Sequence, residues 1–85
     1  MLVYICSHVL KHERQVSLVV HHSDEMWQLT CGGYDHPDDH PDLHPVHLAH
    51  LVQAQPSLEA IVRAVEKGHL AELVDGEWRT MAHDD

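Results

Sequence analysis

Three prolines, at positions 37, 41 and 45, recur at four-residue intervals within 35–50, and each follows a histidine. Were this stretch helical, His36, His40 and His44 would share one face in a ladder suited to metal. The prolines forbid that. Each ring removes a backbone donor and clashes with the preceding turn, and each residue before a proline is driven toward extended geometry. A long central helix is therefore excluded. The chain must be assembled from short elements on either side of a proline-stiffened loop, which the sequence places at 32–44.

On the N-terminal side the hydrophobic period is two. Residues 2–9 alternate, with Val3, Ile5, Ser7 and Val9 on one face and Leu2, Tyr4, Cys6 and His8 on the other, which predicts a strand. Polar 11–14 reads as a turn. A second strand over 15–21 sets Val16, Leu18 and Val20 in alternation, and turn-like 22–25 follows. A third over 26–31 aligns Trp27, Leu29 and Cys31 and ends at Gly32-Gly33. Such short connections predict an antiparallel three-stranded meander.

Beyond the loop the period becomes helical. From Pro45, the residues Val46, Leu48, Ala49, Leu51 and Val52 form a broad apolar face, with Pro45 tolerated in the first turn. Pro56 ends that helix and opens another, in which Leu58, Ile61, Val62 and Val65 follow the i, i+3, i+4, i+7 rule. Glu59 and Arg63 make an i,i+4 pair outside it, and Gly68 is a stop signal. Asp75-Gly76 predicts a two-residue hairpin turn. The implied register sets Val74 against Glu77, Leu73 against Trp78 and Glu72 against Arg79, which matches an apolar pair and an opposite-charge pair. Residues 82–85 are expected to fray. The fold expected is α+β in the order β-β-β-α-α-β-β, an antiparallel meander plus hairpin with two helices on one sheet face. Residues 1–85 form one small domain, large enough to bury only roughly 60% of the unfolded surface. With no phenylalanine, Trp27, Trp78, Tyr4 and Tyr34 supply all the aromatic bulk.

Fourteen acidic residues against five basic ones give a formal charge of −9. That disfavours capture of nucleic acid or an anionic membrane surface and favours a protein partner with a basic patch. Eleven histidines, ordinarily titrating near about 6.5, are read mainly as solvated side chains. No apolar run approaches the ~20 residues that span a bilayer. The N-terminal stretch has neither the basic start nor the small-residue cleavage site of a signal peptide. With only two cysteines, the expectation is a cytoplasmic protein in which a Cys6–Cys31 disulfide would be unusual. A core this thin also makes a homodimer, completed through a helix pair or an edge strand, a reasonable assembly.

Two metal readings arise. In the first, His47 and His50 form a helical pair, joined by His40 or His44, or by Asp38 or Asp39, a donor set suited to zinc, nickel or copper. Its competitor is a solvated loop or partner-contact surface. The second joins Cys6 and His8 with Cys31 and His36, two sulfurs and two nitrogens of the kind zinc favours, without a C-x-x-C knuckle. Cys31 is also a candidate nucleophile, with His8 or His36 as base. Its register with Trp27 and Leu29 favours a small buried hydrophobe instead. No G-x-S-x-G, phosphate-binding glycine loop or carboxylate pair is present, so no catalytic residue is assigned and a non-enzymatic role is expected.

The segments ICSHV at 5–9, WQLTCGG at 27–33, PSL at 56–58 and the Trp78-Arg79 pair give the chain a likeness across most of its length. It resembles a class of small uncharacterised bacterial proteins, some of whose relatives resemble immunity proteins of toxin systems. That resemblance implies a binding or accessory role and carries over no site residue.

Overall fold

A computed structural model describes residues 1–32 and 43–82. Six strands form one mixed sheet: β1 (Leu2–Ile5), β2 (Leu18–His21), β3 (Trp27–Thr30), β4 (His44–His47), β5 (His69–Val74) and β6 (Glu77–Ala82), in the spatial order β4-β1-β3-β2-β5-β6. Three helices accompany it, α1 (Ser7–Leu10), α2 (Leu48–Ala54) and α3 (Ser57–Ala64).

The α+β class holds, but the sheet is neither all antiparallel nor a simple meander. β2 and β3 form the expected hairpin, whereas β1 pairs with β3 in parallel, Tyr4 beside Gln28 and Ile5 beside Leu29. The cause lies at Cys6. There the chain leaves the sheet and turns into α1, with the Leu10 N–H donating to the Cys6 carbonyl at 2.9 Å and the Lys11 N–H to Ser7 at 2.9 Å. The expected strand over 2–9 is thus a four-residue strand followed by a helical turn. That excursion carries the chain across, so β2 lands two positions away and β3 folds back into the gap.

A second correction falls at Pro45. The sequence predicts a helix beginning there, and places His44 in a loop. Instead His44–His47 is an edge strand antiparallel to β1, with Pro45 opposite Tyr4 and Val46 opposite Val3. An edge strand tolerates the missing N–H of proline, and the apolar helical pattern begins only at Leu48, whose N–H donates to the Met1 carbonyl at 3.0 Å. The C-terminal hairpin adopts the predicted register, Val74–Glu77, Leu73–Trp78 and Glu72–Arg79. Asp75 (φ 51°) and Gly76 (φ 80°) supply the left-handed pair that such a two-residue turn requires. Ala82, expected in a frayed tail, is paired with His69. Residues 33–42 of the expected loop and 83–85 of the tail lie outside the described residues.

The pairings set Ile5, Leu29, Val19 and Ala71 in one row across the sheet. All four are buried, and they form the core with Val3, Val9, Val16, Leu58 and Val65. Leu51, Val52, Ile61 and Val62 of α2 and α3 pack against that cluster. Gln55, between the two helices, replaces a strand in one respect: its Oε1 accepts from the Val16 N–H, and its Nε2 donates to the Val16 carbonyl, both at 2.9 Å. Among the described residues, no helix is long and apolar enough to cross a membrane.

Candidate metal centre

Because β1 and β3 run parallel, the chain leaves both at the same end of the sheet, and the residues just beyond Ile5 and Thr30 come together. Cys6 follows β1, Cys31 follows β3, and His8 sits in the first turn of α1. Their Sγ, Sγ and ring-nitrogen atoms lie within 4.8 Å of one another. His8 Nδ1 is 3.6 Å from Cys31 Sγ. Bonds of about 2.3 Å to sulfur and 2.0–2.1 Å to nitrogen put the N and S ligands of a tetrahedral zinc about 3.6 Å apart. The spacing observed therefore suits a shared ion.

The surroundings act on the two sulfurs unequally. Both cysteines are free thiols, Cys6 buried and Cys31 partly so. Burial pushes the Cys6 thiol up from its ordinary range, and the neighbouring Cys31 sulfur adds to this. Backbone N–H groups of Val9 and Cys31 partly offset it by favouring the thiolate. Arg14 Nη1 lies 3.6 Å from Cys31 Sγ and donates to it from outside the cluster, as outer-shell donors do to metal-bound thiolates. The loop carrying Arg14 is tied to the same site, since the N–H groups of Glu13 and Arg14 both donate to the His8 carbonyl at 2.8 and 3.2 Å. Two sulfurs and one imidazole would leave the fourth tetrahedral position to water or an incoming group.

Among the described residues this is the one group of three or more potential metal-ligand side chains that converges. It contains three of the four residues of the second metal reading, and His36 lies outside the described residues. Strand alternation is not what unites them, since His8 belongs to α1 rather than to a continuous strand. The first reading fares differently. His44 and His47 stand on β4, opposite Ile5 and Leu2 respectively, and three residues apart on a strand they face opposite sides of the sheet. His47 precedes α2 and His50 lies within it, their ring centroids 6.4 Å apart. His40, Asp38 and Asp39 fall outside the described residues. As for a cysteine nucleophile, Cys31 does have His8 within 3.6 Å, but it stands beside a second thiol, an arrangement better matched to shared ligation.

The fold and site together define a small α+β protein with a Cys₂His cluster at the end of a parallel strand pair. No family, curated protein or solved structure matches the chain.

Proposed function

We propose that this protein binds a zinc-class metal ion through Cys6, His8 and Cys31. The observation that carries this reading is the convergence of three ligand atoms of the right chemistry within 4.8 Å, one N–S spacing matching tetrahedral zinc. Soft sulfur donors favour zinc over magnesium or calcium, which take oxygen ligands. The protein would hold the ion by two thiolates and an imidazole, with Arg14 donating to the Cys31 sulfur from outside.

Native mass spectrometry after chelation and zinc readdition tests it. One zinc per chain is expected for the wild type and for His47→Ala plus His50→Ala. Cys31→Ser and His8→Gln should each weaken uptake by more than the roughly 10–100-fold that loss of an outer-shell partner costs. Cobalt substitution adds a second readout, a thiolate-to-metal charge-transfer band that Cys31→Ser weakens. Uptake lost in the double histidine variant and kept in Cys31→Ser would overturn the assignment in favour of the His44–His50 region.

The charge of −9 supports a second reading that is compatible with the first: a non-enzymatic cytoplasmic binding module of immunity type, recognising a basic protein patch. Its association should be steered by charge and weaken steeply with salt. A purified partner whose affinity stays flat from low to high salt would remove the electrostatic part. Pairing through the sheet edges β4 or β6 is the route to a homodimer, and light scattering at the monomer mass across concentrations would exclude it.

A further inference from the structure

Besides offering donors to an ion, the two thiols stand in a relation that needs no ion. Ile5 and Leu29 are paired across the parallel seam, so Cys6 and, one residue further along its own strand, Cys31 leave the sheet side by side. The Cys31 N–H donates to the Cys6 sulfur, which sets that sulfur against the backbone of the other cysteine. The two Sγ atoms are no more than 4.8 Å apart. A disulfide needs about 2.05 Å between its sulfurs, and the remaining gap is of the size that a change of rotamer at one cysteine spans.

The two sulfurs differ in access. Cys6 is 2% exposed within the core, whereas Cys31 is partly exposed at the strand end. An oxidant arriving from solvent therefore meets Cys31 first, and Cys6 stands behind it as the thiol that closes the bond. Redox-sensor cysteines are commonly built this way, an accessible sulfur beside a resolving one. Where thiols are otherwise kept reduced, the disulfides that do form are mostly transient and redox-sensing.

We infer that Cys6 and Cys31 form a reversible oxidation site for hydrogen peroxide, and that their disulfide closes the metal site; the second part rests on the metal reading above. Sγ of Cys31 attacks one peroxide oxygen, forming an S–O bond as the O–O bond breaks. The thiol proton leaves with the released hydroxide as water. Sγ of Cys6 then displaces the hydroxyl from the Cys31 sulfur, forming the S–S bond, and its proton leaves with that hydroxyl as a second water. The two thiols lose two electrons, and the peroxide is reduced to two waters. Both sulfur donors are consumed, so of the three ligands only the His8 imidazole remains. Excess small thiol reverses the step by thiol–disulfide exchange.

The test treats dilute, reduced, chelator-washed protein with one equivalent of hydrogen peroxide, then maps it by proteolysis and mass spectrometry without reduction. The expected product is a monomer that has lost two hydrogens, with Cys6 and Cys31 in one linked peptide pair. Cys31→Ser should lose the reaction, its Cys6 thiol staying unmodified over the time in which the wild type bridges. The wild-type map needs no variant. Zinc uptake, read by native mass spectrometry, then separates the two readings. Reduced protein should take up one zinc and oxidised protein none, and dithiothreitol treatment followed by its removal should restore uptake. A disulfide between chains, or Cys31 carried to sulfinic acid with Cys6 still a thiol, would overturn the oxidation site while zinc uptake by the reduced protein stood. Oxidised protein that takes up zinc as the reduced form does would overturn the switch. No uptake by the reduced protein would overturn the metal reading and the switch together, with the linked peptides still deciding the oxidation site.

Discussion

Replacing Gln55 changes how two buried backbone groups are satisfied, and a pair of substitutions separates that role from simple packing. Val16 is 1% exposed, and both its N–H and its carbonyl are bonded by the Gln55 amide at 2.9 Å. Gln55→Leu keeps the side-chain bulk and removes both bonds. A typical bond contributes about 0.5–1.5 kcal/mol net, and a buried group left unsatisfied costs about 1–3 kcal/mol, so the expected loss is roughly 2–4 kcal/mol. A domain of this length has roughly 4–13 kcal/mol in all. With a urea slope near 1 kcal/mol/M for a small protein, the midpoint should fall by about 2 M or more. Gln55→Glu is the sharper probe. Its carboxylate can accept from the Val16 N–H but sets a lone pair against the carbonyl, whereas the protonated acid can donate and accept as glutamine does. The folded-state pKa of Glu at position 55 is therefore raised above its unfolded value of about 4.3. Its stabilisation is fully present below that unfolded value and is lost as pH rises through the folded one. Urea unfolding followed by Trp27 and Trp78 fluorescence should show the variant close to wild type at acid pH and well below it at pH 7. A Gln55→Leu midpoint matching wild type, or a Glu-to-wild-type difference independent of pH, would refute the clamp.

Three further outcomes follow from the packing and charge pairs described above. Leu58 is 0% exposed at the centre of the core, so Leu58→Ala should cost about 2–5 kcal/mol, read as a urea midpoint shift. In the metal-free protein, mass spectrometry of a timed iodoacetamide reaction should find Cys31 modified first, because Cys6 is buried and its thiol is pushed up by that burial; simultaneous labelling would contradict the burial. Lys67, 3.0 Å from Glu25, holds that carboxyl below the usual glutamate range. Its small stabilisation should be present above the unfolded pKa and fade as pH falls through the folded one, and carboxyl NMR titration should show a return toward the ordinary value in Lys67→Met or high salt.

Local chemistry was legible wherever neighbours in sequence are neighbours in space. The β5–β6 hairpin followed from Asp75-Gly76 and its matched pairs, and α3 from Leu58, Ile61, Val62 and Val65. What the sequence concealed was nonlocal. Nothing in residues 2–9 marks the exit from the sheet at Cys6, because the alternation continues past it. The parallel pairing of β1 with β3 depends on that exit. Pro45 carried an ambiguous signal, compatible with a helix's first turn or with an edge strand, and contact with β1 decided between them. The Cys6, His8 and Cys31 group could be named from residue types, but its convergence depends on the crossover and not on a shared strand face. The Gln55 clamp had no sequence signal at all.

The parallel strand pair would also give the proposed metal site a mechanical meaning. His8 and Cys31 are 23 positions apart in the chain, and the register between β1 and β3 rests on only two paired positions, Tyr4–Gln28 and Ile5–Leu29. An ion gripping both segments would fasten a loop of that length, worth roughly 3 kcal/mol in closure entropy. If the ion binds as proposed, metal supply would set how long β1 stays in its slot between β3 and β4, so that the one parallel seam of the sheet would be the one whose lifetime the environment tunes.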